Sequence, residues 1–150
     1  MDKHAFDRLM PKAIAWAEES AATIARDGTP LDAELISLAC AVGVTQPDAI
    51  RILLVDALPL PSDPELAQLA LQLGLLDKQS IGITLGHGVM LCREHVSPRV
   101  LSHEFRHVYQ YEQAGSIAAY IPLYLQQILE HGYVQAPYEV DARNHEIAGK

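Results

Sequence analysis

The chain has 150 residues, of which 49% are hydrophobic and 20% charged, and carries a formal charge of -8. This length suits one domain with a single core, and the apolar content excludes a disordered chain. The acidic balance, with no cluster of lysine and arginine, excludes a nucleic-acid surface, because such a chain repels phosphate.

The opening residues, Met1 to Lys12, carry Asp2, Lys3, Asp7 and Arg8 and no apolar run, so they do not read as a secretory signal. Phe6, Leu9, Ala13, Trp16, Ala17 and Ile24 recur at helical spacing and predict a helix that Gly28 stops and that Pro11 splits or kinks. Thr29-Pro30 reads as the cap of a second helix with Leu31, Leu35, Leu38, Ala39 and Val42 on its apolar face and Gly43 at its end. Residues 1–48 are therefore expected to form a helical hairpin. Cys40 and Cys92 stand far apart and outside any C-x-x-C arrangement. They read as reduced core thiols of a cytoplasmic protein, with one disulfide as the alternative.

Ile50 to Leu58 is partly β-branched and runs into Pro59-Leu60-Pro61, which predicts a strand; a helix opened by Pro47 is the competing reading. Ser62-Asp63-Pro64-Glu65 opens the next helix, with Leu66, Leu69, Ala70 and Leu73 inward and Gly74 at its end. Residues 81–92 then alternate strictly and predict one strand. Ile81, Ile83, Leu85, His87, Val89 and Leu91 would share one face, with Gly82, Thr84, Gly86, Gly88 and Met90 on the other. The bare glycine face suits a bulge, close packing under a helix, or an edge that pairs with an extended peptide. His87 reads as a hydrogen-bonded histidine on an apolar face.

Ser97-Pro98 predicts a helix start and Gly115 its end, and between them lies His103-Glu104-Phe105-Arg106-His107. Two histidines four residues apart on a helix stand about 40° apart around its axis, so both imidazoles can hold one metal ion. The glutamate after the first histidine is where a helix-borne metallohydrolase keeps the base that takes a proton from metal-bound water. Helical winding gathers Leu101, Phe105, Val108 and the stem of Glu112 into the buried stripe, with Val100, His103, His107 and Tyr111 beside it. Ser102, Arg106 and Gln113 fall on the far side. The histidines border the core, and Glu104 sits between them and it.

Ile117 to Leu129 is apolar but interrupted by Pro122, Gln126 and Gln127 and too short to span a bilayer; it reads as a core helix or a wall of the cleft. A turn at Ala136-Pro137 then leads into a last helix from Tyr138 to about Ala148. The whole reads as a single α+β domain, 1–150, mostly helical, with a small sheet ahead of the histidine helix and residues 50–150 as its core.

A catalytic zinc site takes three protein ligands and leaves a position for water. The downstream candidates are His131, Glu139, Asp141, His145 and Glu146. Glu139 follows the Ala-Pro-Tyr break and would project inward from the first helical turn, leaving Asp141 to orient a ligand histidine through its other ring nitrogen. Asp141 as the ligand is the local alternative, and His145 would give a three-histidine site.

The run from His103-Glu104-Phe105-Arg106-His107 through Val108-Tyr109-Gln110-Tyr111-Glu112, followed by Pro137-Tyr138-Glu139-Val140-Asp141-Ala142-Arg143, resembles the small gluzincin-type zinc metallopeptidases. In these, H-E-x-x-H-x-x-Q-Y is followed by a glutamate ligand on a second helix. Ile83-Thr84-Leu85-Gly86-His87 is similar to the strand that leads into their motif. The resemblance covers roughly residues 81–143; residues 1–48 match nothing comparable. It implies Zn2+ held by His103, His107 and Glu139, Glu104 as the base, and a peptide or protein substrate. Larger gluzincins carry E-x-x-x-D, whereas Arg143 stands at that fourth position here, so the orienting carboxylate is Asp141 or is missing.

The oxyanion of peptide hydrolysis needs a donor besides zinc, and Tyr133, Tyr138, Arg143 and His131 all lie near the third ligand. Tyr109, Gln110 and Tyr111 are expected to wall the cleft or hold the helix against the strand. The expected function is a zinc-dependent metallopeptidase; the alternative is a zinc-stabilised binding or regulatory module without catalysis. Glu104 favours the enzyme, since metal binding alone does not require it.

Overall fold

The computed structural model describes residues 3–76 and 80–148. In chain order the elements are α1 (Lys3–Asp27), β1 (Thr29–Pro30), α2 (Ala33–Ala41), β2 (Arg51–Val55), α3 (Pro64–Gln72), β3 (Gly82–Leu85), β4 (Gly88–Cys92), α4 (Pro98–Ala114), α5 (Ile117–His131) and α6 (Pro137–Asn144), an α+β fold. The strands form one sheet in the order β1-β2-β4-β3, with β2 and β4 parallel and the outer pairings antiparallel.

The central strand β4 is buried along its whole length and divides two apolar layers. Met90 faces one layer, with Phe6, Leu9 and Ile24 of α1, Leu66 and Leu69 of α3, and Ile121 and Leu125 of α5. Val89 and Leu91 face the other, with Ala39 of α2, Ile50 and Ile52 around β2, and Leu101, Phe105 and Val108 of α4. Period-two alternation along the strand sends neighbouring side chains to these opposite layers.

The expected helical hairpin over 1–48 is not what forms. Thr29 and Pro30 pair with Ile52 and Arg51 as an edge strand, so they do not cap α2; Asp32 does, its carboxylate accepting the Leu35 N–H at 2.9 Å. The strand lies between the helices and delivers α1 and α2 to opposite faces of the sheet. Gly28 makes this crossing feasible, because a Cβ there would lie 3.0 Å from the Ile52 carbonyl oxygen. Pro11 sits within α1 and does not split it. Pro47 opens only a 3-10 turn, Pro47–Ala49, before the expected strand.

Residues 81–92 form a hairpin where one strand was expected. Gly86 and His87 are its two-residue loop, and Gly86 takes a φ of 67°, as the first position of a type II′ turn requires. Reversal divides the supposed common face: Leu85 joins Met90 in one layer, while Val89 and Leu91 face the other. Strict alternation cannot distinguish a long strand from two short ones joined by a glycine turn.

The far side of α4 is covered as well. The last helix stops at Asn144 instead of near Ala148, and the chain beyond folds back so that the Ile147 N–H donates to Ser102 Oγ at 2.8 Å. Ser102, expected to face outward, is therefore fully buried. Both cysteines are free, but Cys40 is exposed and not a core residue; Cys92 is buried. Among the described residues no helix is long and apolar enough to cross a membrane.

Candidate metal centre

Helix α4 is framed by its caps. Ser97 Oγ accepts the Val100 N–H, and Gly115 closes the last turn with a φ of 100°. Helix α6 begins at Pro137 without a side-chain cap. Its first turn is held instead by two glutamines: Gln127 Oε1 accepts the Tyr138 N–H at 2.8 Å, and Gln110 Nε2 donates to the Tyr138 carbonyl at 2.9 Å. These anchors fix Glu139 over the histidine face of α4.

His103 Nε2 lies 3.1 Å from Glu139 Oε1, and His107 Nε2 lies 3.1 Å from Glu139 Oε2. One ligand atom from each of the three residues falls within 4.8 Å of the others, and Glu139 is 2% exposed. The opposite ring nitrogens meet acceptors. His103 Nδ1 is 2.8 Å from Glu146 Oε2, and His107 Nδ1 is 2.8 Å from Gln110 Oε1. The Gln110 amide is oriented by its own donations to Tyr138 O and Asp141 Oδ2, so the group facing His107 is an oxygen. Both Nδ1 atoms thus carry hydrogen, and in the neutral rings both Nε2 atoms present lone pairs to a carboxylate. Three lone-pair donors meeting at one point suit a shared cation, and two nitrogens with one carboxylate oxygen form a common zinc donor set.

The electrostatics follow from that convergence. Burial opposes ionisation of Glu139, but hydrogen bonds with His103, His107 and Tyr124 outweigh it and hold the carboxyl well below the usual range. Burial lowers the His107 pKa and the Glu139 carboxylate more than restores it, to about 9; His103 is raised for the same reason. The Tyr124 hydroxyl donates to Glu139 Oε2 at 2.6 Å, and burial followed by that carboxylate pushes its own pKa well up.

Glu104 is 7% exposed. Thr84 Oγ1 on β3 lies 2.9 Å from Glu104 Oε1 and 3.1 Å from the Glu104 carbonyl oxygen, two acceptors for its one proton. Beside it, a Cβ on Gly82 would lie 2.7 Å from Leu91 Cδ2 and 3.3 Å from the Glu104 carboxylate. The glycine is what lets that carboxylate lie against the strand. Glu104, His107, Glu139 and Thr84 line a common cavity of about 120 Å³.

The other sequence candidates lie elsewhere. Asp141 touches neither candidate ligand histidine: it pairs with Arg106 at 2.8 Å and reaches His107 through Gln110. The carboxylate that meets the far ring nitrogen of a candidate ligand is Glu146. His145 Nδ1 bonds the Asp141 carbonyl, and exposed His131 pairs with Glu130 at 3.8 Å. Arg143 donates to the Val134 carbonyl, and the Tyr138 ring stacks on Tyr120 at 4.9 Å. Of the four oxyanion candidates, Tyr133 lines the cavity. His87 bonds Glu112 at 2.9 Å, and Glu112 also accepts the Thr45 and Gln46 N–H groups. Tyr109 lies under the Arg106 guanidinium at 3.9 Å, and Tyr111 stacks on Tyr120 at 3.7 Å.

Sequence reasoning missed Tyr124, Tyr120 and the roles of Gln110 and Glu146. The i, i+3 spacing of His107 and Gln110 was a usable signal, since such residues are neighbours on a helix. Nothing local announced Tyr124, and Glu146, named among the ligand candidates, gave no sign that it would meet the far ring nitrogen of His103. Comparison of the chain with protein-family models, with curated proteins and with solved structures finds no match.

Proposed function

We propose that the protein is a metal-dependent peptidase, with Zn2+ held by His103, His107 and Glu139. The observation that carries this reading is the pair of Nε2 lone pairs meeting Glu139, with a second carboxylate, Glu104, lining the same cavity as His107 and Glu139. A metal ion there would supply Lewis acidity, making a water more acidic and a carbonyl more electrophilic.

The remaining chemistry belongs to the chain. Glu104 takes a proton from the attacking water and passes it to the departing amide nitrogen, so one water and one peptide bond yield a carboxylate and an amine. Thr84 orients Glu104 by hydrogen bonding. Tyr133 lines the same cavity, and its phenol, whose pKa burial followed by the Glu139 charge raises further, donates to the developing oxyanion. Edge strand β3 borders the cavity and offers its outer backbone to an extended peptide. The free cysteines suit a reducing compartment, the cytoplasm.

The test compares the wild type with Glu104→Gln and Glu139→Ala for bound zinc and peptide hydrolysis. The reading expects one zinc in the first two, little in the third, and hydrolysis in the wild type alone. Zinc in the wild type with hydrolysis absent would favour a zinc-stabilised binding module. Full zinc in Glu139→Ala would displace the proposed ligand set.

A further inference from the structure

We infer that the cavity beside Glu104 and His107 selects one apolar side chain, branched aliphatic or aromatic, from the substrate; this rests on the peptidase reading above. The walls come from helices outside the stretch that resembles metallopeptidases: Ala13, Trp16 and Ala17 of α1 and Leu66, Leu69 and Ala70 of α3. Ile121 and Leu125 of α5 complete them.

Size and charge define the occupant. The volume is about 120 Å³, against roughly 150 Å³ for an apolar cavity that admits benzene, so one isobutyl or phenyl group is the matching unit. Three alanines among the wall residues create the space. Glu104, His107 and Glu139, the lining residues that carry charge, all come from the α4 and α6 side. Any ionised substrate group driven past them would lose its hydration among leucine and alanine side chains. Continuity with the catalytic groups gives the site its purpose. The cavity runs from the apolar helices to Glu104, His107 and Glu139, with Gly82 to Leu85 of β3 along its rim. A peptide extended on that strand turns alternate side chains to one face, so a residue next to the cleaved bond can enter.

Trp16 is the chain's one tryptophan and lines this cavity, so its fluorescence reports occupancy without turnover. Metal-free and zinc-loaded protein would be titrated with N-acetyl-leucinamide, N-acetyl-phenylalaninamide and N-acetyl-aspartamide. The expected result is a saturable emission change with the first two and binding at least roughly tenfold weaker for the third, the scale of burying one such side chain. Ala17→Leu and Ala70→Leu fill the space from different helices. In each variant that keeps the wild-type circular dichroism spectrum and zinc content, the leucinamide response should weaken at least about tenfold. Equal binding of all three amides, no saturable response to the apolar pair, or folded variants that bind leucinamide normally would overturn the inference. Hydrolysis without apolar preference would remove this inference and leave the peptidase reading. A saturable leucinamide response without hydrolysis would remove that reading and uphold the cavity as a ligand site.

Discussion

Glu146, beyond the end of the last helix, holds Nδ1 of His103 at 2.8 Å while its other oxygen pairs with Arg99 at 3.3 Å. A carboxylate on the far ring nitrogen fixes the tautomer that offers Nε2 to a metal and makes that nitrogen a better donor. Glu146→Gln should weaken zinc binding roughly tenfold to hundredfold with little change in folding. Competition with a chromogenic chelator measures this, and unchanged affinity would remove Glu146 from the site.

Ser102 reaches the same nitrogen indirectly. It anchors the segment carrying Glu146 by accepting the Ile147 N–H. Ser102→Ala should cost about 1 kcal/mol in denaturant unfolding, the usual net worth of such a bond. It should also lower zinc affinity by less than Glu146→Gln does. Calorimetric titration of both variants gives the order.

Gly82 and Thr84 position Glu104 without touching the ligand set. A methyl at position 82 would press on Leu91 and the Glu104 carboxylate, and Thr84→Val removes the hydroxyl donor. Gly82→Ala should destabilise the fold by about 1–3 kcal/mol and reduce kcat, with zinc content unchanged. Thr84→Val should lower kcat and Thr84→Ser restore it. Equal kcat in all the Thr84 variants would assign the threonine to packing alone.

Tyr133→Phe tests the proposed oxyanion donor. Loss of one such donor elsewhere costs about a hundredfold to a thousandfold in kcat with little change in KM. That split, measured at saturating peptide, separates a donor from a wall residue, which would raise KM instead.

In the metal-free protein, protons on the imidazoles face Glu139, and this sets the pH response. His107 is raised from 6.5 to about 9, so its contribution to stability is complete below pH 6.5 and is lost as pH rises through about 9; the raised pKa of His103 acts in the same direction. Glu139 is lowered from 4.5, so its contribution is present above pH 4.5 and is lost as pH falls through its depressed pKa. Chelator-treated protein should therefore lose thermal stability from pH 6.5 to 9. Over the same range zinc affinity should rise, because the ion displaces protons from the imidazoles, and calorimetry in buffers of different ionisation enthalpy should register their release.

Residues near one another in sequence announced much of the fold. The Ser97 and Gly115 caps of α4, the Asp63-Pro64 start of α3 and the apolar spacing of α1 are local preferences, each settled within a turn or two of backbone. Those preferences also placed His103, Glu104 and His107 along one helix. The hairpin at Gly86 escaped notice because alternation continues through a two-residue turn, and β1 because two residues carry no periodic signal. Sequence by itself determined which groups could act together on α4. Only the tertiary structure decided what meets them: Glu139 from α6, Glu146 from the returning chain, Tyr124 from α5 and Thr84 from the sheet edge. Contacts across such distances in the chain depend on how buried faces pack, and local spacing does not carry that information.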